Sequence, residues 1–169
     1  MNQRFQKTKT VLSTYVERVG AFRPNARFYL ISVIISGASL GVYRLLFNFY
    51  VLSLGYNEAL LGTLITTSSL TALIAALPMG YLVDVIGRKS ALIGGTLAVS
   101  AAIVAMILWP SAGMFVVMNV LLGLGQSITG VTMGPFLMEN SSDKERTYLF
   151  SFASGLQTAS NSLGNWIGG

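Results

Sequence analysis

Three charges crowd a short stretch of an otherwise apolar chain. In GYLVDVIGRKSALIGG, Gly80 to Gly95, Asp84 precedes Arg88 and Lys89, and glycines flank the group at Gly80 and Gly87. On a helix, residues four apart share a face, so Asp84 and Arg88 can pair. Gly80 lies one turn before Asp84 and lets a neighbouring helix come close. A helix N-terminus arriving there would favour the carboxylate through its dipole. Gly87 permits the left-handed conformation that ends a helix. Arg88 and Lys89 would then anchor the turn among lipid headgroups.

A second set of polar residues runs through the hydrophobic segments at helical spacing. Gly37, Gly41, Arg44 and Asn48 share one face, as do Asn119, Gly123, Gln126, Gly130 and Gly134. Ser154, Gln157, Asn161, Gly164 and Gly168 form a third row, and Gly62, Thr66, Ser69, Gly80 and Asp84 a weaker fourth. Two uses compete for such rows. Small residues let membrane helices pack closely and amides hydrogen-bond between helices, or the same residues line a cavity for a polar solute. The glycines read as packing. Gln126, Gln157 and Asn161 fit either use.

Arg44 is the only charge within a hydrophobic run. An ionised side chain at that depth costs a few kcal/mol or more, and the nearer interface, about seven to ten residues away, is a long reach for snorkelling. It is expected to attract an anion in a cavity or to pair with an acid. No acid of this chain lies at that depth. The expected solute-binding set is therefore Arg44, Asn48, Asn119, Gln126, Gln157 and Asn161. No cofactor and no metal is expected.

Elements that could position these residues follow from composition and period. Of 169 residues, 53% are hydrophobic and 10% charged, where a soluble domain carries roughly a quarter. Cysteine and histidine are absent, which removes disulfides, the usual zinc sites and a histidine base. The net charge of +5 does not indicate nucleic acid, because six of the eleven basic residues precede the first apolar run, at Arg4, Lys7, Lys9, Arg18, Arg23 and Arg27. That run exceeds a secretory signal in length. Within 1–27, residues 8–20 have helical apolar spacing and read either as a helix on the membrane surface or as a disordered basic tail.

Crossing a bilayer takes about 20 apolar residues. Five segments qualify, at about 28–54, 58–83, 90–109, 112–138 and 146–169. Strands would leave backbone groups unpaired in lipid. The third segment offers only Gly94, Gly95, Thr96 and Ser100 as small or polar positions, so it is expected to face lipid while the other four face one another or a cavity. The connectors at Tyr56–Asn57 and Trp109–Ser111 carry no basic residue, whereas the turn at Arg88–Lys89 and the loop from Glu139 to Arg146 each carry two. The positive-inside rule puts the N-terminus and both basic loops in the cytoplasm. The fold class is an all-α membrane protein, a multi-helix transmembrane bundle.

The stretch from Gly80 to Lys89 resembles the signature G-x-L-x-D-x-x-G-R-K of the major facilitator superfamily, matching at Gly80, Leu82, Asp84, Gly87, Arg88 and Lys89 and in the turn between helices two and three. The resemblance covers about residues 28–169 and implies the N-terminal half of such a transporter, with five of its six helices. It implies that Asp84, Arg88 and Lys89 latch the two halves on the cytoplasmic side. The spacing of Glu139 and Arg146 is similar to a Glu-x6-Arg pair of sugar-porter-like members, which joins the same charge network. "SLGNWIGG" is similar to an antiporter motif of the fifth helix at Gly164, Gly168 and Gly169, but has Asn165 where that motif has proline. Asn119, before Gly123 and Gly125, likewise stands where drug–proton antiporters have arginine. Both departures weigh against a proton-coupled drug antiporter.

The expected function is secondary transport of a small solute by alternating access, with the lipid bilayer, the solute, a coupling ion and a missing C-terminal half of the same transporter as partners. The expected location is a bacterial plasma membrane, multi-pass, with the N-terminus cytoplasmic. No phosphate-binding G-x-x-x-x-G-K-[ST] loop is present to drive a pump. The other reading is a non-transporting protein that uses the same scaffold as a receptor or assembly partner. It would lose cavity polarity and keep the packing glycines, and Arg44 with the amide rows argues against it. An enzyme is not expected.

Overall fold

The computed structural model describes residues 22–169, and the surface helix or tail expected at 8–20 lies outside them. The described residues form five helices and no strand: α1 Pro24–Ser53, α2 Glu58–Ile86, α3 Arg88–Leu108, α4 Ala112–Glu139 and α5 Asp143–Gly168. Four of them, α1 to α4, are long and apolar enough to cross a membrane. Five such spans were expected. With 26 residues α5 has the length, but its Ser, Thr, Asn and Gln rows and the charges of its first turn lower its apolarity.

Local chemistry sets the ends. Pro24 opens α1, where its missing N–H would be unpaired in any case. Asn57 caps α2, its side chain accepting from the Leu60 N–H at 3.1 Å. Gly87, at φ +86°, closes α2 by donating to the Val83 carbonyl and at once starts α3 by accepting from the Ala91 N–H. A side chain at that φ would be strained. The charged pair Arg88–Lys89 thus begins α3 and is not in the turn itself. At the start of α5 the Glu145 carboxylate accepts from both the hydroxyl and the backbone N–H of Ser142, at 2.6 and 3.3 Å. These bonds, the hydroxyl's first, with a smaller contribution from Arg23, hold the Glu145 carboxyl below its ordinary value.

The chain divides into two compact units, one of residues up to Arg44 with Leu137–Gly169, the other Leu45–Phe136. In the first unit, α5 lies against α1 with no side chain between the backbones at closest approach. A Cβ on Gly41 would stand 2.5 Å from the Asn161 carbonyl oxygen, and one on Gly164 would overlap the Ala38 carbonyl. At one end of this unit the Phe22 ring packs edge-on against Phe152, with centroids 6.2 Å apart. Arg23 donates to the Glu139 carbonyl at 3.3 Å, at the carbonyl-rich end of α4, and Asn25 bonds to Asn140 at 3.2 Å.

The second unit is sealed differently. Gly125 and Gly95 bring α4 and α3 into backbone contact, and Gly123 of α4 meets Ser68 and Thr71 of α2. Phe115 is fully buried and is edge-on to Phe47, Tyr50 and Tyr56. The Tyr56 hydroxyl accepts from the Ala112 N–H at 3.1 Å, satisfying one free donor at the start of α4. Tyr50 donates to the Ile107 carbonyl near the end of α3 at 3.4 Å. Two tyrosines thus tie down the short Trp109–Ser111 connector. Ala91, Gly95, Ala102 and Met106 are the covered face of α3, while Ile93, Leu97, Val104, Ile107 and Leu108 are exposed.

Candidate functional site

Seven residues of α1 are buried, six of them in one row and the seventh, Phe47, to one side of it. At 3.6 residues per turn, Ala26, Leu30, Val33, Gly37, Gly41 and Val51 lie within about 40° of one line along the helix, and all six are buried. Arg44 and Asn48 lie on the same line and are exposed. The cover over α1 is therefore interrupted at its two strongly polar positions. Arg44 makes no hydrogen bond or ion pair among the described residues. It sits nine residues before the helix ends at Ser53, about 14 Å at 1.5 Å per residue.

Gln157 and Asn161 reach the same unit from α5. A Cβ on Gly37 would stand 3.1 Å from the Gln157 side-chain nitrogen, so this amide lies in the α1–α5 seam. Asn161 flanks Gly41, and its side-chain oxygen is buried with no hydrogen-bond partner among the described residues. The neighbouring Asn165, whose backbone N also abuts Gly41, was not among the expected residues. Its signal is its place one turn beyond Asn161.

Asn119 and Gln126 belong to the second unit and differ from each other. Asn119 is only 5% exposed, and its amide donates to the Phe115 carbonyl at 2.9 Å and to the Met106 sulfur at 3.4 Å. Its polar hydrogens are spent on the packing between α4 and α3. Gln126 is half-buried. The row Gly62, Thr66 and Ser69 of α2 is exposed. The buried row is instead Leu64, Ser68, Ala75 and Val83, because Ser68 fits the notch at Gly123.

Of the latch residues, Asp84 and Arg88 form the ion pair that their spacing suggests. The Asp84 side chain is 66% exposed. No atom lies within 4 Å of a Cβ built on Gly80, so that notch is open among the described residues. Lys89 is exposed. Arg146 pairs locally with Asp143 at 3.0 Å, and the Glu139 backbone carbonyl serves Arg23.

Long apolar helices, a buried seam of glycines and polar side chains held within the spans define a polytopic membrane protein. The family model of the Major Facilitator Superfamily matches residues 29–169. The chain belongs to that superfamily of transporters. A comparison with curated proteins returned no match.

Proposed function

We propose that the chain serves secondary transport of a small solute by alternating access, as the N-terminal part of a permease whose remaining helices complete the bundle. The observation that carries this reading is the interrupted face of α1. A helix that only had to pack would be covered along its whole row, yet Arg44 and Asn48 stand uncovered in line with six buried residues. Uncovered polar groups within a span are costly in lipid and stable beside water or a polar solute. Arg44, Gln157 and Asn161, all of the first unit, are the solute contacts. Asn119 is assigned to packing.

Asp84, with Arg88 beside it, works as the cytoplasmic latch, and open space at Gly80 leaves room for a helix to reach it. Lys89, Glu139 and Arg146 set the charge of the same side, in a bacterial plasma membrane with the N-terminus cytoplasmic. A coupling ion or the solute's own gradient supplies the energy. Asp84→Asn in the full-length protein should lower solute uptake into reconstituted vesicles at least tenfold while membrane insertion stays normal. Uptake equal to the unchanged protein would remove Asp84 from the latch.

A further inference from the structure

The solute's chemistry can be read from Arg44 and Asn161, provided the chain transports as proposed above. Both belong to one compact unit. Asn161 lies against Gly41, and Arg44 is one turn further along the same face of α1. Arg44 presents a guanidinium fork that makes no hydrogen bond or ion pair among the described residues, with the neighbouring Tyr43 in electrostatic reach. Asn161 holds a buried side-chain oxygen that accepts no hydrogen bond among the described residues. Each feature alone is a cost: an unpaired charge within a span and a buried acceptor without a donor. A single ligand relieves both. It must carry an anionic group with paired oxygens, which a guanidinium binds in two parallel hydrogen bonds, and a hydrogen-bond donor close by for the Asn161 oxygen.

We propose that Arg44 and Asn161 form a subsite for a small carboxylate bearing a hydroxyl or ammonium group next to its carboxyl, a hydroxy acid or an amino acid. A neutral sugar or an organic cation would leave the guanidinium unpaired. An apolar compound would leave both groups unsatisfied.

The chain contains no cysteine, and with any cysteine of the remaining helices replaced by serine one introduced thiol reports cleanly. In the full-length protein in vesicles, Asn161→Cys is treated with anionic sulfonatoethyl methanethiosulfonate or with cationic trimethylammonioethyl methanethiosulfonate. Each rate is divided by that reagent's rate on a free thiol. With Arg44 intact, the anionic reagent should be favoured by about tenfold, as expected for a unit charge within one helical turn in a partly desolvated site. The preference should survive Arg44→Lys and vanish in Arg44→Gln. Asn165→Cys, on an exposed position one turn along, gives the same readout if Asn161→Cys fails to fold. In the Asn165→Cys variant, lactate or alanine should slow labelling where acetate, lacking the donor, does so weakly. An unreactive thiol at both positions, equal normalised rates for the two reagents, or no protection by any of the three carboxylates overturns the proposal. Protection by acetate equal to that by lactate overturns the role of Asn161. Anion preference without solute uptake would sink the transporter reading and leave the subsite standing. Uptake without anion preference does the reverse.

Discussion

The two units seal helices against one another by different means. In the first, α1 and α5 meet through Gly37, Gly41 and Gly164, with amides and a serine filling the seam. In the second, α3 and α4 meet through Gly95 and Gly125, and a ring cluster around Phe115 closes one end. Both use glycine because helix association in lipid draws little from burying apolar surface and much from close contact. They differ in how polar groups end. The buried amide of the second unit, Asn119, donates within its own unit. In the first unit the Asn161 oxygen is left over, and Arg44 is uncovered. The second unit keeps one buried hydroxyl, that of Ser127, without a partner among the described residues, and what sets the first unit apart is the uncovered charge of Arg44 beside its unspent amide oxygen.

The largest test of this contrast is steric. Gly41→Leu should destabilise the first unit by more than the about 1–3 kcal/mol typical of overpacking, because the obstacle is backbone and cannot swing away. Gly94→Leu, where a Cβ meets nothing within 4 Å, should change little. Thermal unfolding in detergent, followed by circular dichroism, measures both, and similar melting points for the two variants would erase the distinction. Phe115→Ala comes next, costing about 3 kcal/mol as the ring leaves a cavity among three aromatic neighbours. Chemical denaturation of that variant and of Phe28→Ala, which removes an exposed ring, compares the two. Near-equal midpoints would show that the cluster does not hold the second unit.

Tyr56→Phe is smaller, about 1 kcal/mol for the hydrogen bond to the Ala112 N–H. Tyr50→Phe should cost less, since its bond is longer. Hydrogen exchange at the first turn of α4 reports the difference, and unchanged protection in Tyr56→Phe would refute the cap. The smallest effect is pH-dependent. Glu145 is held below its ordinary value in the folded chain, so its contribution to stability is fully present above that ordinary value and is lost as pH falls through the lowered one. Acidification below the carboxylate range should therefore loosen the start of α5, and Glu145→Gln should blunt the response. An identical acid response in that variant would assign it to other carboxylates.

Much of the architecture was legible in the sequence. Spans of apolar residues mark the helices, and Gly87 marks an end because a glycine stop is local chemistry; the fifth helix, expected from Arg146, starts instead at Asp143, where Ser142 and Glu145 form a capping box. The Asp84–Arg88 pair was legible for the same reason, being one turn of one helix. Less legible was which polar row of a helix would be covered. In α2, Ser68 and Ser69 are neighbours of one type, yet only Ser68 is buried, and the choice rests with Gly123 on α4. Asn119 carries the same signal as Gln126 in a row of fixed spacing, and only the nearby Met106 sulfur and the Phe115 carbonyl separate them. Arg146 has three acids shortly before it in sequence, Glu139, Asp143 and Glu145, and Asp143 takes it because residues three apart on a helix are neighbours.

The sequence by itself determined that this chain enters a membrane, where the helices of the described residues lie to within a few residues, and which superfamily it belongs to. Length, period, caps and a contiguous motif all act over a few residues. Only the tertiary structure decided which polar groups are spent on packing and which remain unsatisfied. That depends on what lies opposite, and for Gly41 what lies opposite is Asn161, on a helix near the other end of the chain.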